Sequence, residues 1–384
     1  MNWLFGAARN PEHGHKERLA PDPAAEGTSM RPVIFAEPCK PSGTPTGEDL
    51  QAYNLVRFAK EDETMAAVDD AFRSARIEAV RHMTACEQVS LRWSETSITE
   101  IVMAQAARAV TVVPFTQRAE ALSGADWVWW WVDRTGAYGM LVQAKRVTVS
   151  GSRWSFDFGY KARSTAPPQR EVLHSSAARL DLLPVYALYL GTGNYRGRER
   201  CSDDHKSENC ICCTKRTISL MPALLAEELI VSDAATTYER SVALEDLWTP
   251  PPARALLIPT LERQLQPELL NFLQEPQDGT RAVTRSMIDQ VLRARYGAFT
   301  AVSTSVGSSH SGDHDRLGRV FGDVPDDTGH WGQRYFEHTL NPLLHVPPDY
   351  ILEIASGDFD QDRLTSDMPD NIAGVVVVQV PQHK

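Results

Sequence analysis

The chain has 384 residues, enough to bury a sizeable core in one large domain or two smaller ones. Hydrophobic residues make up 42% of it and charged residues 23%, as in ordinary soluble globular proteins. The formal net charge of −11 argues against a protein that is coated in basic surface.

The first part of the chain changes character near residue 48. Residues 1–47 contain seven prolines among glycine, serine and charged residues, which predicts a disordered or loosely packed arm. Residues 48–93 contain neither proline nor glycine, and their apolar positions recur at helical spacing, which predicts a helical N-terminal segment. Met1–Gly6 does not resemble a signal peptide, and no apolar run approaches the length of a membrane span. We therefore expect a cytoplasmic protein without membrane contact.

Residues 94–232 alternate between helical and strand patterns, which predicts an α/β (α+β) core. A helix is predicted to begin after a cap at Ser94 or Ser97. Ser97 and Glu100 match a capping box. A short strand at 111–115 follows, and then two apolar strands joined by a turn at 133–136. A helix is predicted at 169–182 and a buried strand at 184–190, so the order of elements is helix, three strands, helix and strand.

The remaining residues favour helices. Pro222–Val231 is predicted to be a helix with its proline in the first turn. Residues 233–384 are expected to form a mainly helical C-terminal extension of unknown role, with helices at 267–273 and 286–296. Strands are predicted at 350–354 and 373–380.

Three polar residues interrupt the two apolar strands of the hairpin. Because side chains alternate between the faces of a strand, Gln143 and Lys145 share one face, and Asp126 shares a face with Val128 and Trp130. If matching faces pair, a carboxylate, an amide and an ammonium meet at one end of an apolar sheet. Such groups either satisfy one another in a structural network or bind a ligand.

The same residues have the pattern of a metal-dependent phosphodiesterase. A carboxylate and an amide oxygen are ligands for Mg²⁺ or Mn²⁺, and a lysine two residues after the amide can orient water or stabilise developing charge. Asp126, Gln143 (with the carbonyl of Ala144) and Lys145 fit these roles. A further carboxylate is expected from Glu95, Glu100 or Glu120, and we favour Glu95, which points inward if Ser94 caps its helix.

The chain resembles a known nuclease superfamily in this region. An aspartate, a hairpin and Gln-x-Lys on an α-β-β-β-α-β core resemble the PD-(D/E)xK, or restriction-endonuclease-like, superfamily, and the glutamine is similar to its Mrr-like branch. The longer pattern, which spans residues 94 to about 232, resembles a bacterial family that carries this core. That pattern consists of Glu95–Glu100, Gly124–Trp130, Gln143–Arg146 and Pro184–Tyr189. The resemblance implies a Mg²⁺-dependent endonuclease with catalytic residues Asp126, Gln143, Lys145 and Glu95, and a role in bacterial defence.

A basic segment follows the hairpin within this acidic chain. Residues 134–216 contain 14 Lys and Arg against 7 Asp and Glu, which favours a polyanion such as DNA as the partner. The candidate nucleic-acid-binding residues are Arg146, Lys161, Arg163, Arg196 and Arg198. The sequence leaves DNA against RNA, and a monomer against a homodimer, open.

Four of the six cysteines fall within residues 201–213. In a reducing compartment, clustered cysteines are more typical of metal sites than of disulfides. Cys201, His205, Cys210 and Cys213, with Cys212 as an alternative to Cys213, can supply the four ligands of a zinc site. A reduced or redox-sensitive cysteine-rich loop is the competing interpretation. Two further hypotheses are a catalytically inactive nucleic-acid-binding or regulatory module, and a zinc-supported interaction protein.

Overall fold

The computed structural model describes a little more than half of the chain. The described residues are 61–115, 126–150, 153–160, 167–191, 214–226, 231–233, 237, 240–249, 267–275, 277–291 and 335–380. All of them belong to one unit by their contacts, residues 57–384. The predicted arm at 1–47 and the cysteine-rich segment 201–213 lie outside the described residues.

The described residues include eight helices and eleven strands. The helices are α1 (Glu61–Gln88), α2 (Glu95–Ala106), α3 (Gln169–Arg179), α4 (Pro267–Gln274), α5 (279–291), α6 (Tyr335–Leu340), α7 (Asp349–Ser356) and α8 (Gln361–Asp367). The strands are β1 (Thr111–Pro114), β2 (Asp126–Val132), β3 (Ala137–Arg146), β4 (Thr148–Ser150), β5 (Arg153–Asp157), β6 (Leu183–Tyr189), β7 (Ile218–Pro222), β8 (Val231–Asp233), β9 (Val242–Ala243), β10 (Leu343–Leu344) and β11 (Ile372–Gln379). The fold is therefore of the mixed α+β class.

A mixed sheet organises these elements. Its strand order is β1-β11-β2-β3-β6-β7-β9, and β10 pairs with the start of β3, while β4, β5 and β8 form a separate small sheet. The predicted hairpin is confirmed, because β2 and β3 are antiparallel and joined at 133–136. β3 and β6 are parallel, so the chain must cross over between them, and α3 provides this crossover.

The C-terminal strand β11 lies between β1 and β2, parallel to β2 and antiparallel to β1. Gly374 makes this position possible, since a Cβ there would lie 2.5 Å from the carbonyl oxygen of Val113 and 2.6 Å from the Trp127 ring. Residues at the far end of the chain thus complete the sheet beside the hairpin.

Aromatic side chains fix one face of the sheet against α1. Trp129 and Trp131 of β2 pack with Phe72 of α1 and with Trp248, with ring centroids 5.7 to 6.2 Å apart. On the opposite face, Trp130 donates its Nε1–H to the Tyr350 hydroxyl at 2.7 Å. The tryptophans of β2 therefore anchor helices to both faces of the sheet.

Two predicted elements were wrong. Residues 350–354 lie in helix α7, in which Ile351 and Ile354 are buried one turn apart and Gly357 ends the helix with a φ of 82°. A five-residue apolar run fits either a strand or one face of a short helix, so periodicity alone does not decide. The helix predicted at 222–231 is instead the end of β7, a 3₁₀ turn at Ala223–Ala226 and the start of β8.

The other predicted elements are close to the observed ones. The helices at 169–182 and 267–273 correspond to α3 and α4, and the strands at 184–190 and 373–380 correspond to β6 and β11. The helix expected at 286–296 begins seven residues earlier, at 279. No helix in the described part of the chain is both long and apolar enough to cross a membrane.

Candidate active site at the open end of the hairpin

The open end of the β2–β3 hairpin brings the predicted polar positions onto one face. Val128 pairs with Leu141 and Trp127 with Val142, and the paired register of the two strands ends there, one residue short of Asp126 and Gln143. Because side chains alternate, the positions of Asp126, Gln143 and Lys145 lie on the same face as Val128 and Leu141. The backbone of Asp126 pairs with Ile372 of β11, and its side chain lies outside the described part of the structure.

Lys145 is buried at this end and is held by helix α3. Its side chain is 5% exposed, and its Nζ donates a hydrogen bond to Oε1 of Gln169 at 2.8 Å. A buried ammonium is tolerated only where acceptors surround it. Gln143, two residues earlier on the same face, is 2% exposed.

The crossover topology explains why Gln169 reaches Lys145. Helix α3 begins at Gln169, directly after Pro168, and the backbone N–H of Gln169 donates to the carbonyl of Tyr160 at 3.0 Å. The helix then runs back towards the start of β6, so its first turn lies near the end of β3. The sequence predicted where this helix begins but assigned no role to Gln169, although a polar residue in the first turn of the crossover helix was a usable signal.

Glu95 reaches the same end of β3 from helix α2. Its Oε1 accepts a hydrogen bond from the backbone N–H of Arg146 at 3.0 Å, one residue beyond Lys145. Glu95 is half-buried, whereas Glu100 on the same helix is exposed and Glu120 lies outside the described residues. Of the two candidate glutamates among the described residues, Glu95 is the one that contacts β3.

The cap of α2 decides which way Glu95 points. Ser94 is the N-cap: its Oγ accepts from the backbone N–H of Ser97 at 3.0 Å, and Ser97 Oγ in turn accepts from the backbone N–H of Ser94 at 3.2 Å. The capping box is thus Ser94 with Ser97, and the box predicted from Ser97 and Glu100 was wrong. Glu95 consequently occupies the first helical position, next to the sheet.

Two hydroxyl groups join α2 to β6 beside this site. Thr99 Oγ1 lies 2.8 Å from the Tyr189 hydroxyl and donates to the Glu95 carbonyl at 2.9 Å. Tyr189 is fully enclosed, and burial raises the pKa of its hydroxyl. In the parallel ladder, Tyr189 of β6 stands beside Arg146 of β3. The sequence motifs include Thr99 and Tyr189, but their spacing did not predict that the two side chains meet.

Only one of the predicted nucleic-acid-binding residues is described. Arg146 is half-buried, and its Nη1 donates to the carbonyl of Trp93 at 3.0 Å, so part of its guanidinium holds the start of α2 against β3. The other four predicted residues lie outside the described part of the chain, namely Lys161, Arg163, Arg196 and Arg198.

Comparison with known proteins places this site within one family. Residues 68–313, more than half of the chain, match a single family description. The chain belongs to the family of unknown function DUF6615. The match spans α2, the hairpin, α3 and β6, and it ends before β11. No curated protein and no solved structure matches the chain.

The donor atoms at the open end of the hairpin suit a hard cation. Carboxylate and amide oxygens, as in Glu95 and Gln143, are the ligands that Mg²⁺ prefers. Among the described residues, no group of three or more His, Cys, Asp and Glu side chains is arranged to hold a metal. The predicted Mg²⁺ ligands include only two carboxylates, those of Asp126 and Glu95, and the side chain of Asp126 is not among the described groups. The predicted zinc ligands Cys201, His205, Cys210 and Cys213 are also outside it.

Proposed function

We propose that the chain is a Mg²⁺-dependent nuclease that hydrolyses phosphodiester bonds in DNA. The observation that carries the proposal is the hydrogen bond that the Glu95 carboxylate accepts from the backbone N–H of Arg146, one residue from the buried Lys145. The proposal includes a restriction-endonuclease-like core made of α2, β1, β2, β3, α3 and β6. Their order along the chain supports it, although β11 separates β1 from β2. Bacterial defence is proposed from the sequence resemblance alone.

Each residue of the site has a distinct role in this proposal. Asp126, Gln143 and Glu95 would hold Mg²⁺, which when bound polarises a phosphodiester oxygen and lowers the pKa of water. Lys145 carries three N–H donors, one of which is directed at Gln169. Its positive charge, held by Gln169 in a buried site, stabilises charge that develops on the phosphate in the transition state.

The proposal is tested by incubating the purified full chain with supercoiled plasmid, linear duplex, single-stranded DNA and RNA. Mg²⁺ and Mn²⁺ are compared with EDTA. We expect metal-dependent cleavage of DNA that is lost in Lys145→Met and strongly reduced in Glu95→Gln. Glu100→Gln is the matched control, because this exposed glutamate lies on the same helix. The absence of metal-dependent products from every substrate, or equal cleavage by Lys145→Met, would overturn the proposal.

A second candidate function is a catalytically inactive nucleic-acid-binding or regulatory module. The favouring observation is that Lys145 and Glu95 both bind protein groups, Gln169 and the Arg146 amide, as members of a structural network do. This module binds nucleic acid with an affinity that falls steeply as salt rises, without turnover. Gel-shift measurements at low and high salt, on the samples used for cleavage, distinguish the two candidates.

A further inference from the structure

The hydroxyl pair between α2 and β6 has a defined direction. A threonine hydroxyl carries a single proton, and Thr99 donates its proton to the Glu95 carbonyl at 2.9 Å. The 2.8 Å contact between Thr99 Oγ1 and the Tyr189 oxygen must therefore be a hydrogen bond that Tyr189 donates. The bonds run in one direction, from the Tyr189 hydroxyl to Thr99 and from Thr99 to the backbone of Glu95.

Further contacts join the same two strands to the carboxylate of Glu95. Tyr189 stands beside Arg146 in the ladder between β6 and β3, and its carbonyl accepts from the Val147 amide at 3.0 Å. The Arg146 amide donates to Glu95 Oε1 at 3.0 Å. Glu95 is thus fixed twice to the same pair of strands, by its backbone through Thr99 and Tyr189 and by its side chain through Arg146.

We propose that Tyr189 and Thr99 are positioning residues that hold the Glu95 carboxylate at the candidate Mg²⁺ site, an inference that rests on the proposed function. Apolar contacts between a helix and a sheet are non-directional and allow small shifts of the helix. The hydroxyl relay is directional, and it acts on the first turn of α2, where Glu95 lies. Losing it loosens the carboxylate without removing any metal-binding group or Lys145.

The experiment compares Tyr189→Phe, Thr99→Val and Thr99→Ser with the unaltered chain. Tyr138→Phe is the matched control, because it also deletes a buried tyrosine hydroxyl, one that donates to the Thr339 carbonyl away from Glu95. Two quantities are measured, the Mg²⁺ concentration that gives half-maximal DNA cleavage and the affinity for Mn²⁺ by electron paramagnetic resonance. Thermal unfolding of each variant shows whether it is folded.

For Tyr189→Phe and Thr99→Val we expect the half-maximal Mg²⁺ concentration to rise by about tenfold, the lower end of the effect seen when an outer partner of a metal ligand is lost. Mn²⁺ affinity should fall in parallel, while the cleavage rate at saturating Mg²⁺ stays nearly unchanged. Thr99→Ser keeps the hydroxyl and should behave like the unaltered chain. Tyr138→Phe should lower the unfolding temperature without changing either metal measurement.

Three results would overturn the inference. Metal dependence in Tyr189→Phe and Thr99→Val that matches Tyr138→Phe would refute the positioning role and leave the nuclease proposal intact. Equal effects of Thr99→Ser and Thr99→Val would show that the hydroxyl is not what matters. An unaltered chain that neither binds Mn²⁺ nor cleaves DNA would remove both this inference and the proposed function. If Tyr189→Phe fails to fold, the two Thr99 variants decide the question.

Discussion

Two carboxylates at opposite ends of the hairpin differ in how many protein donors they meet. At the turn between β2 and β3, Asp133 accepts five hydrogen bonds. At the open end, the Glu95 carboxylate accepts one from a described residue, the backbone N–H of Arg146. Three of the Asp133 bonds come from Thr135 and Gly136 within the turn. The other two come from the amide and hydroxyl of Thr280, at the start of α5. Asp133 therefore stabilises the turn and caps a helix that lies 147 residues away in the chain.

The difference separates structural carboxylates from those that can bind a ligand. A carboxylate offers about four lone-pair sites, so five protein donors leave Asp133 no capacity for an external ligand. Among the described residues, the Glu95 carboxylate accepts one hydrogen bond, which occupies one of these sites. Asp133 is thus a structural residue, whereas Asp126 in the same hairpin is a metal ligand in the proposed function.

The largest expected effect comes from exchanging the carboxylate at the open end. Asp126→Asn should lower the rate of Mg²⁺-dependent cleavage by about a thousandfold, since a bound metal stabilises transition-state charge by several kcal/mol. The free energy of unfolding should change little, because the amide keeps the shape of the carboxylate. Cleavage rates and chemical denaturation of one preparation provide both measurements. Full activity in this variant would remove Asp126 from the site.

The reverse result is expected at the turn. Asp133→Ala removes five bonds and a helix cap and should lower the free energy of unfolding by about 2–4 kcal/mol. Cleavage per folded molecule should stay the same, because the turn lies at the far end of the hairpin from Lys145. Urea denaturation followed by tryptophan fluorescence measures the loss. An Asp133→Ala protein of unaltered stability but reduced cleavage would contradict the assigned roles.

A third prediction concerns pH and two histidines, His174 of α3 and His338 of α6. Burial, with the charges of His338 and Arg170 nearby, lowers the pKa of His174 to about 3, and burial lowers the pKa of His338. In the unfolded chain both imidazoles titrate near 6.5. As the pH falls below about 6.5, the unfolded chain binds protons that the folded chain does not, so stability decreases.

For His174 the expected loss is about 2 kcal/mol between neutral pH and pH 5. Denaturation midpoints measured from pH 7.5 to pH 5 test this, and His174→Gln should flatten the slope. An unchanged slope would show that other groups govern acid stability. Helix α3 also carries Gln169 at the open end, so cleavage is best compared at a pH where the chain is fully folded.

Local patterns in the sequence predicted the hairpin well and the elements around it in part. The turn at 133–136, helix α3 and strand β6 follow from apolar alternation, turn residues and prolines that are neighbours in the chain. The apolar run at 350–354 was assigned to a strand, because five residues do not separate a period of 2 from one of 3.6. Its burial against β11 and the left-handed Gly357 make it a helix.

Contacts between distant parts of the chain were beyond local patterns. The position of β11 between β1 and β2 depends on Gly374 fitting under Val113 and Trp127, which no neighbouring residue indicates. In the candidate site, the face shared by Gln143 and Lys145 was predictable from alternation alone. The contact between Thr99 and Tyr189 was not, because α2 and β6 are distant in the chain and meet only after the crossover forms.

The smallest expected effect tests how α2 chooses its start. Ser94→Ala removes the observed cap and should cost about 1 kcal/mol at most, as N-cap losses do. The cost is limited because Ser97 and Glu100 offer a second capping box three residues later, to which the helix start can move. Such a move unwinds the turn that contains Glu95, so the half-maximal Mg²⁺ concentration should rise although stability hardly changes. Ser94→Ala with Glu100→Ala removes the alternative box and should increase the loss of stability. An equal loss in the single and double variants would show that the helix start stays in place, and that Glu95 is held by Thr99 and Arg146 without help from the cap.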